Sequence, residues 1–277
     1  MSVEANLKSL FSLEGKVVLM TGAAGGIGAA LAKGMAGIGA CMCNCDISQK
    51  GLDALKQSIA EDGFGAHSYL MDVSSLDSIR QAVENVIAQH GRIDVLINMA
   101  GINKREGLLD VTEETYDRIM DINLKSVFFV TQAVVPHMLE RKNGNIINIG
   151  SHNASAMLGG CSVYGATKSG VVALTRSMAV EWAEWGIRAN AVSPGHILTP
   201  LTTVTWDHPT RGDYLRDRIA MRRPGTPEEL VGMVAFLASD ASTYLTGANY
   251  VVDGGCLCGG APWEFDSKYR NMDFTGK

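Results

Sequence analysis

Two patterns of apolar and polar positions alternate along the chain: short, almost unbroken apolar runs, and longer stretches with apolar residues at helical spacing. The runs at Lys16–Thr21, Ala40–Cys45, Ala66–Met71, Asp94–Asn98, Asn145–Ile149, Ile187–Val192 and Asn249–Val252 predict strands. Runs this short and this continuously apolar suit strands buried on both faces. Helices are predicted between them. One runs from the glycines after Thr21 through Ala36. Ser48–Ala60 places Leu52, Leu55 and Ile59 on one face, and Ser75–Gln89 opens on a serine cap. Thr112–Arg141 reads as one or two helices, with Thr112 as cap and Glu113 and Glu114 suited to the first turn. Ser162–Trp185 and Pro227–Ala238 complete the set, and 194–224, rich in Thr, Asp and Arg, is predicted to be irregular.

Strands that alternate with helices across short turns imply an α/β fold, a doubly wound seven-stranded parallel sheet with helices on both faces. Such sheets bind ligands beyond the carboxyl ends of their strands. No linker, repeat or low-complexity segment interrupts the pattern. A single domain over 1–255 is expected, with a C-terminal extension over 256–277.

Composition narrows the partners. The 277 residues are 46% hydrophobic and 19% charged, with a formal charge of −5. No long basic run is present to follow a phosphate backbone, so nucleic acid is not an expected partner. No apolar run approaches the roughly 20 residues of a membrane span. The N-terminus, with Glu4, Lys8 and Glu14, lacks the apolar core of a signal peptide. A cytoplasmic location is therefore expected. The six cysteines form neither a CxxC pair nor a disulfide framework. Cys41, Cys43 and Cys45 alternate and would share one face of a strand; they read as small buried apolar groups, and no metal is expected.

The segment Thr21-Gly22-Ala23-Ala24-Gly25-Gly26-Ile27-Gly28 follows the first strand and opens a helix. Glycines there permit the turn and let the backbone approach a pyrophosphate at the helix N-terminus. A second glycine cluster, Gly34–Gly39, follows no strand and reads as a packing and helix-ending feature. Asp46 ends the second strand. It can accept hydrogen bonds from both adenosine ribose hydroxyls and would repel a 2′-phosphate, which favours NAD; it can also cap the helix at Ser48. Asp72 and Val73 end the third strand, where Asp72 can meet an adenine ring or cap the next helix.

Tyr164 and Lys168 lie one helical turn apart on one face. A free phenol, with a pKa of about 10, is too weakly acidic to serve as a base at neutral pH, and a nearby cation lowers that value. Such a pair can also be a surface coincidence. Ser151, at the end of the fifth strand, raises its meaning by offering a hydroxyl to a substrate oxygen that gains negative charge.

Taken together, TGAAGGIG at Thr21–Gly28, NMAG at Asn98–Gly101, Asn123, Ser151, YGATK at Tyr164–Lys168, PG at Pro194–Gly195 and VDGG at Val252–Gly255 resemble the short-chain dehydrogenase/reductase family over about Leu13–Gly255. Met99 departs from the family's usual second Asn or small residue, at a position that supports the strand. The resemblance implies a Rossmann-type catalytic domain for NAD. Tyr164 would transfer the proton, Lys168 would lower its pKa and hold the nicotinamide ribose, and Ser151 would steady the carbonyl. Asn123 would hold a relay water through its backbone. Gly22, Gly26, Ile27, Gly28, Asp46, Asp72, Val73, Asn98, Pro194, Ile197 and Thr199 would complete the cofactor site, with Ile197 and Thr199 at the carboxamide. Asp46, with Gly25 in place of a basic residue, resembles the NAD-preferring subset.

The substrate pocket is expected from Asn153, Lys104, Arg105, His196, Trp206 and His208, beside Ser151 and Tyr164. The turn Asn103-Lys104-Arg105 resembles that of gluconate 5-dehydrogenase-like sugar-acid and polyol dehydrogenases, where Arg105 would take a carboxylate; the other reading is a solvated basic turn. His196 and His208 read as packing or surface residues. The expected reaction is interconversion of a secondary alcohol and a ketone on a sugar, sugar acid or polyol. Two alternatives stand beside it: a 3-oxoacyl-carrier-protein reductase-like enzyme, and a nucleotide-binding protein without catalysis. A homotetramer is expected, built on the helices at Val127–Arg141 and Ser162–Trp185. The aromatic tail, with Trp263 and Phe265, is expected to reach an adjacent subunit as readily as to pack on its own.

Overall fold

The apolar runs line up as seven parallel strands: β1 (Val17–Thr21), β2 (Cys41–Asp46), β3 (Ala66–Leu70), β4 (Val95–Asn98), β5 (Gly144–Ile149), β6 (Ile187–Pro194) and β7 (Asn249–Val252). Their order is β3-β2-β1-β4-β5-β6-β7. This is a computed structural model that describes residues 3–259. The order reverses between β1 and β4, and the crevice that the fold offers to ligands opens at the carboxyl ends there.

The alternation of side chains along the strands divides the core in two. Val18 and Met20 of β1 face a cluster with Leu31 and Met35 of α2 (Gly26–Gly37), Ile59 of α3 (Gln49–Glu61) and Val234 of the helix at Val231–Ala238. Val17 and Leu19 face the other side. There they meet Val83 of α4 (Leu76–His90), Val130 and Val134 of the helix at Ser126–Arg141, and Val171 of the helix at Ser162–Trp182. Cys43 and Cys45 are buried in this second cluster, as their spacing predicts; Cys41 is only half-buried and approaches His90 at 3.7 Å.

Asp94, just before β4, ties three elements at the amino end of the sheet. Its carboxylate accepts the Val17 N–H at 2.8 Å and the Arg92 Nε–H at 3.0 Å, and pairs with Arg141. Gly34 shows why the second glycine cluster is a packing feature: a Cβ there would stand 2.3 Å from Val231 Cγ1. Gly39 turns the chain at a φ of +97°.

The stretch predicted as one or two helices is α5 (Glu113–Met120), a π-helical turn at Asp121–Lys125, and α6 (Ser126–Arg141), with Thr112 capping α5. The long α7 (Ser162–Trp182) follows β5. Two points differ from the sequence reading. A helix at Val3–Phe11 (α1) precedes β1, and the segment predicted as irregular contains α8 (Thr203–Trp206) and α9 (Arg211–Asp217) before α10 (Val231–Ala238). Thr202 and Thr210 stand at their N-caps but make no capping hydrogen bond, and both helices are short. The tail beyond Gly259, including Trp263 and Phe265, lies outside the described residues.

Candidate active site

The glycine loop leaves β1 and enters α2 with little room for side chains. Gly22 has a φ of +66°, and a Cβ there would stand 2.7 Å from Ala100 Cα. A Cβ on Gly28 would stand 2.3 Å from the Gly22 carbonyl oxygen. Gly25 occupies the N-cap of α2 without a side-chain cap, and no acidic residue stands in the first turn. The first N–H groups of α2 are thus free of side-chain partners, as an anion-binding helix start requires. Ile27 packs back against the first core. Gly26 faces the far side of the crevice: its Cβ position lies 3.2 Å from Thr199 Cβ.

Asp46 braces this loop. One carboxylate oxygen accepts the Ala24 N–H at 3.0 Å and the other accepts the Ser48 N–H at 3.0 Å. Ser48 itself caps α3, so Asp46 supports both the loop and the helix start and keeps lone pairs for a further donor. After the third strand Ser75, not Asp72, caps α4; Asp72 Oδ1 accepts from Ser74 N–H at 2.9 Å and Ser74 O–H at 2.7 Å in the turn before it. Val73 packs against the second core.

Asn98 has a structural role at the end of β4. Its side chain is buried and donates to Asn148 Oδ1 at 2.8 Å and Thr131 Oγ1 at 3.1 Å. It joins β4 to β5 and α6, while its Oδ1 has no partner among the described residues. The motif nevertheless shapes the crevice, because Thr21 Oγ1 accepts from both Met99 N–H and Ala100 N–H.

Asn123 sits fully buried in the π-helical turn, a distortion often found at functional sites. Its side chain accepts the Ile102 N–H and donates to the Ile102 carbonyl, each at 2.8 Å, and so fixes the turn after β4. Lys168, 4% exposed, donates to the Ile149 carbonyl at 2.8 Å and stands 5.7 Å from the Tyr164 ring centroid. Burial alone lowers its pKa to about 8.

Tyr164 is partly buried beside Ser151. Burial raises its pKa above the ordinary value, while the Ser151 hydroxyl pulls it down and Cys161 adds to the rise. The phenol is thus held up, opposite to the lowering expected from Lys168. Ser151 Oγ accepts the Asn153 N–H at 3.1 Å, which fixes the hydroxyl at the end of β5. Asn153 is buried, and its amide oxygen has no partner among the described residues.

The segment after Pro194 closes the other wall. Pro194 ends β6, and Gly195 permits contact with the β7 turn: a Cβ there would stand 2.6 Å from Asp253 Cα. Ile197 bridges to Gly225, pinning both ends of 198–224. Thr202, which the sequence reading missed, organises this wall. Its Oγ1 donates to the Ile197 carbonyl at 2.8 Å and accepts the Thr199 N–H at 2.8 Å. Trp206 is buried against Leu215 and Ile219, whereas the half-buried His208 bonds locally to Thr210.

Arg105 is exposed and within electrostatic reach of His196. Its turn is seated on the loop before Tyr164: Glu106 N–H donates to the Gly160 carbonyl at 3.1 Å, and Asn103 donates to Cys161 Sγ at 3.5 Å. Lys104 is engaged with Glu106 at 2.6 Å and Thr115 at 3.1 Å. Nearby, Leu108, Met157, Leu158 and Ala166 line an open apolar cleft of about 420 Å³.

A phenol, a hydroxyl and a buried ammonium at the carboxyl edge, opposite an uncapped helix start, can move a proton to or from an oxygen next to a dinucleotide. Comparisons with known proteins agree. Residues 22–256 match the family model described as enoyl-(acyl carrier protein) reductase. A 3-oxoacyl-(acyl-carrier-protein) reductase of Thermotoga maritima is 42% identical over 245 residues, covering 88% of this chain and 99% of that protein. A 2-dehydro-3-deoxy-D-gluconate 5-dehydrogenase of Escherichia coli is 39% identical over 252 residues, covering 90% and 98%. The crystal structure of a gluconate 5-dehydrogenase from Burkholderia cenocepacia, in complex with NADP and tartrate, superposes with a TM-score of 0.87 at 36% identity, covering 91% and 99%. The chain belongs to the short-chain dehydrogenase/reductase family. It is an oxidoreductase that uses a nicotinamide dinucleotide.

Proposed function

We propose that this protein is an NAD(H)-dependent dehydrogenase that interconverts a secondary alcohol and a ketone on a sugar, sugar acid or polyol. The observation that carries the reaction is the grouping of Ser151, Tyr164 and Lys168 at the carboxyl end of β5 and the first turns of α7. The substrate class rests on the gluconate-dehydrogenase relatives and on the exposed Arg105 beside the site.

When bound, the nicotinamide ring supplies or accepts the hydride. The residues of this chain do the rest. The α2 N-terminus and Gly22, Gly26 and Gly28 admit the pyrophosphate, and Asp46 accepts from the adenosine ribose hydroxyls. Ile197 and Thr199 border the nicotinamide end. The Ser151 hydroxyl donates to the substrate oxygen, Tyr164 passes the proton, and the Lys168 ammonium holds the ribose. Asn123 holds a relay water through its backbone, since its side chain is engaged with Ile102. The NADP of the Burkholderia protein makes cofactor choice a direct test. Our reading of NAD rests on the Asp46 carboxylate, which opposes a 2′-phosphate.

The second reading, reduction of carrier-protein-linked 3-oxoacyl groups, is favoured by the 42% identity to the Thermotoga protein. A panel of sugar acids, polyols and 3-oxoacyl thioesters with NAD(H) and NADP(H) separates the two. Activity confined to acyl thioesters overturns the first reading, and activity on none overturns both.

The protein is also proposed to act as a homotetramer. Phe128 and Val180 on α6 and α7 are 46% and 84% exposed, and Leu124, Phe128, Phe129 and Leu174 border an open apolar groove of about 430 Å³. Continuous exposed apolar surface on paired helices favours association. Sedimentation showing a monomer at micromolar concentration overturns this.

A further inference from the structure

Three loops at the carboxyl edge converge behind Ser151. The loop after β5 brings His152, the loop after β6 brings His196, and the turn after β7 brings Cys256. One donor atom from each lies within 4.8 Å of the others, and the two imidazole rings stand edge to face with centroids 4.5 Å apart. Nothing in the proposed dehydrogenase chemistry uses these groups.

The polar atoms here are orphaned. His152 is 5% exposed, and among the described residues neither its Nδ1 nor the buried Nε2 of His196 has a hydrogen-bond partner. The Asn153 amide lies near His152 without hydrogen-bonding geometry. A buried polar atom without a partner carries a desolvation penalty, and two of them close to a cysteine ask for a shared partner.

We propose that His152, His196 and Cys256 form a three-donor site for a divalent cation of the Zn²⁺ type, which clamps the 198–224 segment against the sheet edge behind Ser151. Two imidazoles and a thiolate suit zinc and its neighbours and reject Mg²⁺ and Ca²⁺, which take oxygen ligands. Each ring offers a cation a buried ring nitrogen that has no other partner among the described residues. Burial and Asp253 raise the Cys256 thiol, so a bound cation must displace its proton, as metals do on thiols. Asp253 favours positive charge on both histidines, and its carboxylate is fixed by the Gly255 and Leu257 N–H groups, each at 2.8 Å. Arg105 opposes that charge at His196. Three protein donors leave a fourth position of a tetrahedral ion open.

The clamp follows from what the donors touch. Trp206 of α8 stands edge-on to His196 with centroids 6.0 Å apart, and Cys256 packs against the cluster of Trp206, Leu215 and Ile219 on α8 and α9. An ion here would join the ends of three strands to the packing of α8 and α9 within the 198–224 segment.

The test is metal binding to the full chain, read without reference to activity. Equilibrium dialysis with Zn²⁺ gives stoichiometry, and titration with Co²⁺ reports thiolate ligation through a sulfur-to-metal charge-transfer band. Wild type should take up the ion and show the band. Cys256→Ser should abolish the band, and His196→Gln should weaken Zn²⁺ binding by more than the roughly 10–100-fold cost of losing an outer partner of a ligand. Cys41 lies with His67 and His90 in a second, half-exposed group of donors, so Cys41→Ser is the control and should keep the band. Circular dichroism verifies folding, and either of the two ligand variants suffices. No uptake by wild type, a band that survives Cys256→Ser, or a band lost in Cys41→Ser overturns the proposal.

Discussion

Lys168 Nζ donates to the carbonyl oxygen of Ile149 at 2.8 Å, tying the first turns of α7 to the last residue of β5. The ammonium is held where solvent does not reach, and burial takes its pKa from 10.5 to about 8. A depression of this size corresponds to about 3 kcal/mol of destabilisation while the lysine is charged. Below pH 8 the penalty is fully present. Between pH 8 and 10.5 the unfolded chain binds the proton more tightly than the folded one, so stability rises with pH in that window.

Lys168→Met should therefore be inactive yet more stable near neutral pH. The unpaired Ile149 carbonyl takes back about 1–3 kcal/mol, leaving a small net gain and a rise in Tm of about 2–4 °C. The gain should fade from pH 8 upward. Thermal melts of both proteins at pH 7 and pH 10 check this, and an unchanged or lowered Tm at pH 7 counts against a charged buried lysine.

Tyr164 carries the proton in the proposed reaction, and its phenol is held above the ordinary value by burial. Alcohol oxidation needs the phenolate, so its kcat/KM should climb with pH from neutrality upward, while ketone reduction should fall. Tyr164→Phe should lower turnover by about 10²–10⁴-fold with the fold intact. A flat profile in wild type, with chemistry rate-limiting, would remove Tyr164 from this role.

Asp46 holds the Ala24 N–H of the glycine loop as well as standing at the proposed ribose site. Asp46→Ala should lower kcat/KM for NAD and narrow the gap to NADP, and wild type should prefer NAD by at least about tenfold, or about 1.4 kcal/mol. Equal use of both cofactors by wild type sinks the assignment.

How much of this was legible in the sequence depends on which group acts. The glycine loop and the Tyr164–Lys168 pair are local, and their geometry follows from the element that carries them. The bonds of Asn98 to Asn148 and Thr131 were not legible, because the direction of a side chain in a strand as short as Val95–Asn98 depends on register against its neighbours. The Ile149 carbonyl could not be seen at all, since every residue has one. Thr202 lacked a signal because its bonds to Ile197 and Thr199 arise from an irregular turn. His152, His196 and Cys256 come from three separate loops, and only the strand order brings them together.

The Asp94 tie predicts acid sensitivity. Burial pushes its carboxyl up, but the Val17 N–H and the Arg141 and Arg92 guanidiniums outweigh that, and its pKa lies below the ordinary value. This stability is present above the unfolded pKa of about 3.9 and is lost as pH falls through the lower folded value. Asp94→Asn should cost about 2 kcal/mol at pH 7. Denaturant midpoints should converge with wild type as pH drops below 4; a constant gap would assign the effect to packing.

Arg105 decides what the substrate carries. Lys104 beside it is engaged by Glu106, whereas Arg105 has no carboxylate partner among the described residues. Its turn is anchored to the loop that leads into Tyr164, through Glu106 and Gly160, and the arginine stands near enough to His196 to lower that group's pKa. A guanidinium so placed can grip a carboxylate with two parallel hydrogen bonds, which gives orientation as well as affinity. A solvated arginine would do neither. On a sugar acid, Arg105→Ala should raise KM by about ten- to a hundredfold, equivalent to losing one charged hydrogen-bonded contact of about 1.5–3 kcal/mol. A neutral polyol of similar length should feel little change, and Arg105→Lys should recover only part of the loss because an ammonium cannot make the paired contact. The two KM values, measured side by side, give the answer: equal shifts for acid and polyol would mean that the turn shapes the pocket without reading charge, and no shift for either would return Arg105 to the solvent.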